Sequence, residues 1–576
     1  MLHRFLRVLT LAVLPLAGSL VAPGATAAQQ PFDLLITGGH VLDGTGNPWF
    51  RADVGVRDGR IVAVGRLAGQ PATRTVDATG LVVAPGFIDI HSHAEDTGNA
   101  SRYLRGGDDQ RRAAPNLVAQ GITTVVVNQD GRSPWPIAEQ RAALESVGIG
   151  PNAMLMVGHG TIRREVLGNE SGRAATPAEV ERMRALVRQA MAEGASGMSA
   201  GLEYNPGRYS TTSEVAALAE ELVPYDGVYI SHQRSEGGDP MWYWPSQDVP
   251  GPPTLMDAVM ETIEIGERSG ARVVASHVKA KGAHYWGTSA AVIQLIQRAR
   301  DRGVRVYADQ YPYETSGTDG STVLIPGWAT GGRDVAAADA LEAVLADPEQ
   351  AALLRTDIAH EIRRRGGADK VVIFDYPDES FYGKSVGEVA RMWNLPAVET
   401  AIQLQLRGDR ERRGGGRMRG FSMDTLDLYA YAAQPWVATT TDGGIALPDD
   451  GPSTHARFYG TFPRKIRHFA LERGALSLED AIRSSTSLPA QIMGLRDRGQ
   501  VREGFAADLV LFNVDRIRDT ATFFEPHQYP EGIDYVFVNG VPVVDGGQLT
   551  WQHPGRVLVT HEQAAVTTTE PNSGGG

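Results

Sequence analysis

The most chemically informative residues of this 576-residue chain are His91-Ser92-His93, which follow the apolar run Leu81-Val82-Val83-Ala84-Pro85-Gly86-Phe87-Ile88-Asp89-Ile90. Along an extended run, side chains at i and i+2 turn to the same side, and two imidazoles held together make a borderline-soft bite for a divalent cation. Three more ligand-type residues stand where short β-rich runs stop: His232 after Ile230-Ser231, His277 after Ala275-Ser276, and Asp442 after Thr440-Thr441. Singly, each is explained as well by a hydrogen-bonded core histidine or a helix-capping aspartate. Together they describe a site of imidazole and carboxylate donors, which binds a metal and activates water for hydrolysis.

Such residues meet only if the fold collects strand ends in one place. Short β-runs alternate here with helical stretches, which predicts an α/β fold with a parallel sheet; over about 400 residues that is a (β/α)8 barrel with insertions, whose chemistry sits at the strand ends. The eight candidate strands are 83–90, 123–127, 153–157, 197–202, 228–231, 273–276, 304–308 and 437–441. Between the third and fourth, Thr176 and Glu179 form a capping-box pattern, Pro177 suits the first turn, and Val180, Met183, Leu186, Val187 and Ala190 share one face, so a helix is predicted there.

The interval 310–436, between the last two strands, is too long for a bare loop and predicts a helical lid over the site. Within it, residues 407–419 are rich in arginine and include Gly414-Gly415-Gly416; in so acidic a chain they read as a mobile, solvated loop rather than a polyanion site. Residues 32–80 and 508–544 carry short β-rich runs separated by Gly and Asn-Gly turns, so pieces from both chain ends are expected to form one satellite domain. The expected division is 29–82 and 497–560 for that domain, 83–496 for the barrel, and 561–576 for a polar, Gly-rich disordered tail.

Residues 1–28 read as a secretory signal, with Arg4 and Arg7, an apolar stretch from Val8 to Val21, and Ala25-Thr26-Ala27 before a cleavage point. The chain is therefore expected to be exported, to the periplasm or beyond, and no other segment approaches the length of a membrane span. Loss of Arg4 and Arg7 would take the formal charge from −13 to −15, which argues against nucleic acid and anionic membranes as partners. The absence of cysteine excludes disulfides and thiolate ligands and suits an oxidising compartment. The expected partner is a small-molecule substrate; nothing in the sequence fixes an oligomeric state.

Residues 83–93 resemble the Pro-Gly-Phe-Ile-Asp-x-His-x-His signature of the amidohydrolase superfamily. Other segments resemble its D-aminoacylase branch, the N-acyl-D-amino-acid deacylases: Gln120-Gly121-Ile122-Thr123-Thr124, Gly201-Leu202-Glu203-Tyr204-Asn205-Pro206-Gly207, Tyr311-Pro312-Tyr313, Thr441-Asp442-Gly443, and His455-Ala456-Arg457-Phe458-Tyr459-Gly460-Thr461-Phe462-Pro463-Arg464. The resemblance runs from about residue 32 to about residue 550. It implies a barrel flanked by a small β-sandwich from both chain ends, hydrolysing N-acyl-D-amino acids at one or two divalent metals, Zn2+ first among them. By position it implies His91, His93 and Asp442 at one metal site, His232 and His277 at a second and tighter one, and Asp442 as general acid/base. It further implies Arg457, Tyr311 and Ser321 around the substrate's α-carboxylate.

One departure stands out. The family has a metal-reaching cysteine at the end of the second strand, whereas this chain has Asn128-Gln129-Asp130-Gly131. A carboxylate can bridge two metals as a thiolate does, but it is harder and a weaker zinc donor, so Mn2+ or Co2+ can compete. The expectation is that Asp130 ligates metal and spares an exported enzyme an oxidisable thiol. Glu203 and Lys279 are competing candidates, Lys279 by carboxylation as in sister branches. His159 either lines the pocket or is structural. The alternatives in function are another amidase, cyclic amidase or dipeptidase of the superfamily, and a non-catalytic periplasmic binding protein on a decayed barrel; retention of all five ligand-type residues argues against decay.

Overall fold

The computed structural model describes residues 30–106, 108–331 and 335–561; the predicted signal segment and nearly all of the predicted tail lie outside them. Eight parallel strands follow one another in chain order: Phe87–Asp89, Ile122–Val127, Asn152–Gly158, Gly197–Gly201, Val228–His232, Arg272–Ala275, Val306–Gln310 and Val437–Thr439. Every residue of the second and third is buried, as expected of strands covered on both faces, which need no alternation. The eighth strand meets the first just past their ends, where Asp442 N donates to His91 O at 3.0 Å and His93 N donates to Gly443 O at 2.8 Å. The buried Asp89 carboxylate ties the same seam, accepting from Thr440 Oγ1 at 2.5 Å, from Thr441 N at 3.0 Å and from Thr441 Oγ1. Burial pushes its pKa up to about 6 against the pull of those bonds.

The predicted first strand, 83–90, is two strands. Val82–Pro85 pairs with Leu509–Phe512 and with Phe32–Val41 in the terminal sheet, and only Phe87–Asp89 belongs to the barrel. Gly86 is the joint: its N–H donates to Asp508 O at 2.8 Å, and a Cβ there would sit 2.2 Å from Thr123 Oγ1. Both sheets bury this segment, so its apolar run is unbroken, and the terminal sheet extends to Pro85 rather than to residue 82. The seventh strand begins at Val306 rather than at 304, because Val304 N donates to Ala299 O and closes the preceding helix.

The two chain ends form one nine-stranded mixed sheet. It curls around Ile36, Val54, Ile61, Val83, Leu509, Leu511 and Phe537, and Ile61 N donates to Phe505 O at 2.8 Å where the far edge folds back. Residues 555–557 leave this sheet, and Gly555 and Val557 bridge to Ile149 and Ala153 beside the third barrel strand. The helix Pro177–Ala192 is capped by Thr176 and Glu179 as predicted, with Met183, Val187 and Ala190 buried.

The insertion between strands seven and eight has a core of its own, which includes Leu341, Leu354, Ile358, Val371, Ile373, Val389 and Leu404. Four helices, Ala337–Ala346, Pro348–Arg364, Val386–Trp393 and Ala397–Arg407, pack there with a two-stranded antiparallel sheet of Val371–Asp375 and Arg417–Gly420. Residues 407–419 are the predicted solvated loop only in part: 409–413 are exposed, but 414–419 are not. Arg417–Gly420 is a strand, and Gly414, Gly415 and Gly416 are buried. Gly415 has φ +70° and room for no Cβ, which would lie 2.1 Å from Leu404 O. Glycine here serves close packing rather than flexibility.

Candidate metal centre and active site

The ligand-type residues converge at the C-terminal mouth of the barrel. Three of them, Asp130 (φ +58°), His277 (φ +34°) and Asp442 (φ +46°), occupy the left-handed region. Non-glycine residues pay for that conformation, and it concentrates where side chains are aimed for function. Gly131 (φ +75°) continues the turn after Asp130, where a Cβ would approach Gly201 N to 2.8 Å.

Asp130 is the hub. Its Oδ1 lies 3.5 Å from His91 Nε2, 3.4 Å from His232 Nδ1 and 3.8 Å from His277 Nε2, and its Oδ2 lies 3.7 Å from His93 Nε2. Asp442 Oδ1 stands on the other side of the first pair, 3.2 Å from His93 Nε2 and 3.5 Å from His91 Nε2. Of the three candidates for the family cysteine's place, Asp130 alone faces both histidine pairs. Glu203 instead reaches the outer nitrogen of His232, at 3.1 Å. Lys279 Nζ meets Glu236 and lies 2.8 Å from His277 Nδ1.

Buried partners orient the rings. Ser276 Oγ sits 2.5 Å from His91 Nδ1 and donates to Asp309 Oδ2 at 2.8 Å, so His91 donates from Nδ1 and keeps its Nε2 lone pair free. Glu203 Oε2 lies 3.1 Å from His232 Nε2, and His277 Nδ1 has both Glu236 Oε1 at 3.1 Å and Lys279 Nζ at 2.8 Å. His232 Nδ1 and His277 Nε2 face each other 2.9 Å apart, close enough to share a proton or a cation. His91 Nε2 and Asp130 Oδ1 are buried and lack hydrogen-bond partners. Two donor sets, His91/His93/Asp130 and Asp130/His232/His277, each lie within 4.8 Å. Imidazole with carboxylate suits Zn2+, Mn2+ or Co2+, so these residues fit one or two divalent ions.

Charge balance follows from the same contacts. Burial would raise the Asp130 carboxyl, but the charge of His232 and the close imidazoles of His232, His277 and His91 hold it well below the usual range. Burial likewise opposes ionisation of Asp442, and Arg457 first, then His277, His93 and His91, keep it far below that range. Burial pulls His232 down, yet Asp130 and Glu203 push it up to about 10.

Arg457 opens the helix Arg457–Arg464 and places Nη1 3.0 Å from Asp442 Oδ2. Its guanidinium lies over the Tyr311 ring at 4.7 Å, and Lys279 Nζ approaches the same ring at 5.4 Å. The Tyr311 hydroxyl and Arg457 Nε are buried without hydrogen-bond partners, two donors suited to an anion. Gly317 makes room, since a Cβ there would meet Arg457 Nη2 at 2.8 Å. The Ser321 side chain lies outside the described residues; its backbone ends the short turn Thr318–Ser321. A cavity of about 270 Å³ joins these parts, lined by His93, Asp130, Tyr204, Asp442 and Arg457 among others. His159 is buried against Glu214, 3.0 Å away, and is structural.

Glu236, Asp309 and Asp89 were not singled out by the sequence. Glu236 stands four residues beyond His232, a spacing that could have pointed to it, whereas Asp89 and Asp309 sit inside β-runs whose partners are distant in the chain.

The comparisons with known proteins agree with this geometry. The amidohydrolase family model matches residues 74–227 and 410–544, on either side of most of the insertion. D-aminoacylase from Alcaligenes xylosoxydans xylosoxydans is 33% identical over 92% of this chain and 98% of its own, and N-acyl-D-glutamate deacylase from the same organism is 32% identical over 92% and 97%. A crystal structure of N-acyl-D-glutamate deacylase from Bordetella bronchiseptica, complexed with zinc and a phosphonate mimic of the tetrahedral intermediate, superposes with a TM-score of 0.68 at 30% identity. It covers 92% of this chain and all of that one. Similarity of this extent, spanning terminal sheet, barrel and insertion alike, makes the chain a member of the amidohydrolase family, within its D-aminoacylase branch.

Proposed function

We propose that the protein is a metal-dependent N-acyl-D-amino-acid deacylase, which cleaves the amide to a carboxylate and a free D-amino acid. The observation that carries this reading is the pairing of a carboxylate shared by two histidine pairs with a guanidinium 3.0 Å from a second carboxylate, in one cavity. The D preference rests on relatives named for D-amino-acid derivatives.

In this reading His91, His93, Asp130 and Asp442 would hold one ion, and Asp130, His232 and His277 a second, with zinc first and Mn2+ or Co2+ as competitors. A bound divalent ion supplies Lewis acidity, lowering the pKa of a coordinated water toward about 7 and polarising the scissile carbonyl. Asp442 accepts a proton from the attacking water and returns it to the departing amine, which leaves only when protonated. Arg457 clamps the substrate α-carboxylate and fixes the amide's orientation, with Tyr311 as a neutral donor and Lys279 adding positive charge. Binding and basicity are coupled: Arg457 holds Asp442 low, so a carboxylate that shares the guanidinium's charge leaves Asp442 a stronger base. The insertion, which contributes Ser316, Gly317 and Thr318 to the cavity wall, would cover the site. Residues 1–28 support export, where a carboxylate in the cysteine position escapes oxidation.

The test is a panel of N-acetyl-D- and L-amino acids, a D-hydantoin and a dipeptide, incubated with the metal-loaded protein. Turnover of the acyl-D-amino acids alone is expected; preference for the hydantoin or the dipeptide would reassign the activity.

A further inference from the structure

A second cavity of about 360 Å³ opens from the first, with Asp130, Arg132, Tyr204 and Thr318 in the walls of both. Beyond them it is lined by Arg164 and the turn Asn205-Pro206-Gly207. The two arginines are close enough that Arg132, after burial, pushes the Arg164 guanidinium below its ordinary value. Neither is well neutralised. Arg132 has Asp96 at 3.5 Å and leaves about half its side chain exposed (48%). Arg164 donates to Asn205 O at 2.9 Å, and among the described residues no carboxylate pairs with it. Two exposed guanidinium groups on one cavity, neither closely paired with a carboxylate, offer an anion a site between them.

The position identifies the occupant. Arg132 follows the second barrel strand and Arg164 the third, whereas Tyr311 and Arg457 follow the seventh and eighth. In eight-strand order the third lies four places from the seventh, on the opposite wall. Arg132, two places from the eighth strand, shares the first cavity with Arg457, and Arg164 lies beyond it across from Tyr311. A substrate with its α-carboxylate at Arg457 and its amide at the central histidines therefore reaches Arg132 and Arg164 with its acyl chain through the wall the two cavities share. We infer that the enzyme takes dicarboxylic acyl groups, such as succinyl, whose free carboxylate is held by Arg132 and Arg164. This deepens the proposed function and rests on it.

The experiment compares kcat/KM of the metal-loaded enzyme for N-succinyl-D-methionine, its neutral N-succinamoyl analogue and N-acetyl-D-methionine. The expected result is at least a tenfold preference for succinyl over succinamoyl. In the Arg132→Met/Arg164→Met variant that preference should disappear while N-acetyl-D-methionine turnover stays within about twofold. Equal wild-type rates on the two longer substrates would overturn the inference. So would a variant that loses N-acetyl-D-glutamate turnover but keeps the succinyl preference, since the pocket would then serve the side chain. If N-acetyl-D-methionine is not hydrolysed at all, it is the functional reading that fails. Calorimetric binding of the succinyl and succinamoyl derivatives then decides the pocket alone, tighter succinyl binding supporting the inference and equal binding overturning it.

Discussion

Arg457 Nη1 stands 3.0 Å from Asp442 Oδ2, so the residue that would grip the substrate also sets the charge state of the residue that would move the proton. Arg457→Ala should therefore act twice. For an N-acyl-D-amino acid KM should rise about 10- to 100-fold, the worth of a charge-assisted pair, and kcat should fall as well. For the corresponding α-amide, which offers no carboxylate, only kcat should change. Steady-state kinetics on the two substrates check this, and equal increases in KM would remove the clamp.

Asp130 stands where the sequence resemblance implies a cysteine. Asp130→Ala should lower bound metal per chain, measured by elemental analysis after gel filtration. Asp130→Cys should restore zinc and favour it over Mn2+, because thiolate is the softer donor. Unchanged metal in the alanine variant would show that Asp130 only shapes its turn.

Ser276 links His91 to Asp309 and is not among the residues lining the cavity. Ser276→Ala should free the His91 ring to take the wrong tautomer and weaken metal binding about 10- to 100-fold, read by competition with a chromogenic chelator. Affinity within twofold of wild type would mean that the ring is held by packing alone.

Lys465 is buried, 1% exposed, and burial pushes its pKa from 10.5 down to about 7. Between about pH 7 and 10.5 the unfolded chain binds this proton and the folded one does not, so this group makes stability rise with pH across that window. Below about pH 7 both forms are charged and the folded state bears the full burial cost, of order a few kcal/mol. Lys465→Met should thus stabilise most at or below pH 7 and progressively less toward pH 10, as measured by urea unfolding at several pH values. A gain independent of pH would refute the assignment.

Much of the site is legible in the sequence because its ligand-type residues stand at the ends of β-runs: His91 and His93 share one motif, and His232, His277 and Asp442 each close a strand signal. Asp130 is legible only by position against a family pattern, since an aspartate in Asp-Gly equally reads as a turn. Glu236, Asp309 and Asp89 act through partners brought near by barrel closure, Asp89 meeting Thr440 and Thr441 some 350 residues later, and periodicity carries no such information. The split of 83–90 is hidden because the chain passes from one buried sheet to another through Gly86 with no polar residue to mark the change. Residues 414–419 mislead for the opposite reason: glycine and arginine suggest a solvated loop, yet Gly415 lets the segment press against Leu404.

The central claim is that five dispersed side chains and Asp130 hold a metal that hydrolyses an acyl-D-amino acid. It is tested most directly by stripping the protein with a chelator and titrating zinc back while following amine release from N-acetyl-D-methionine and its L enantiomer. The account predicts that D turnover vanishes on stripping and returns as zinc is added, with the L substrate inert throughout. Turnover that survives in the metal-free protein, or L hydrolysed as fast as D, would contradict it.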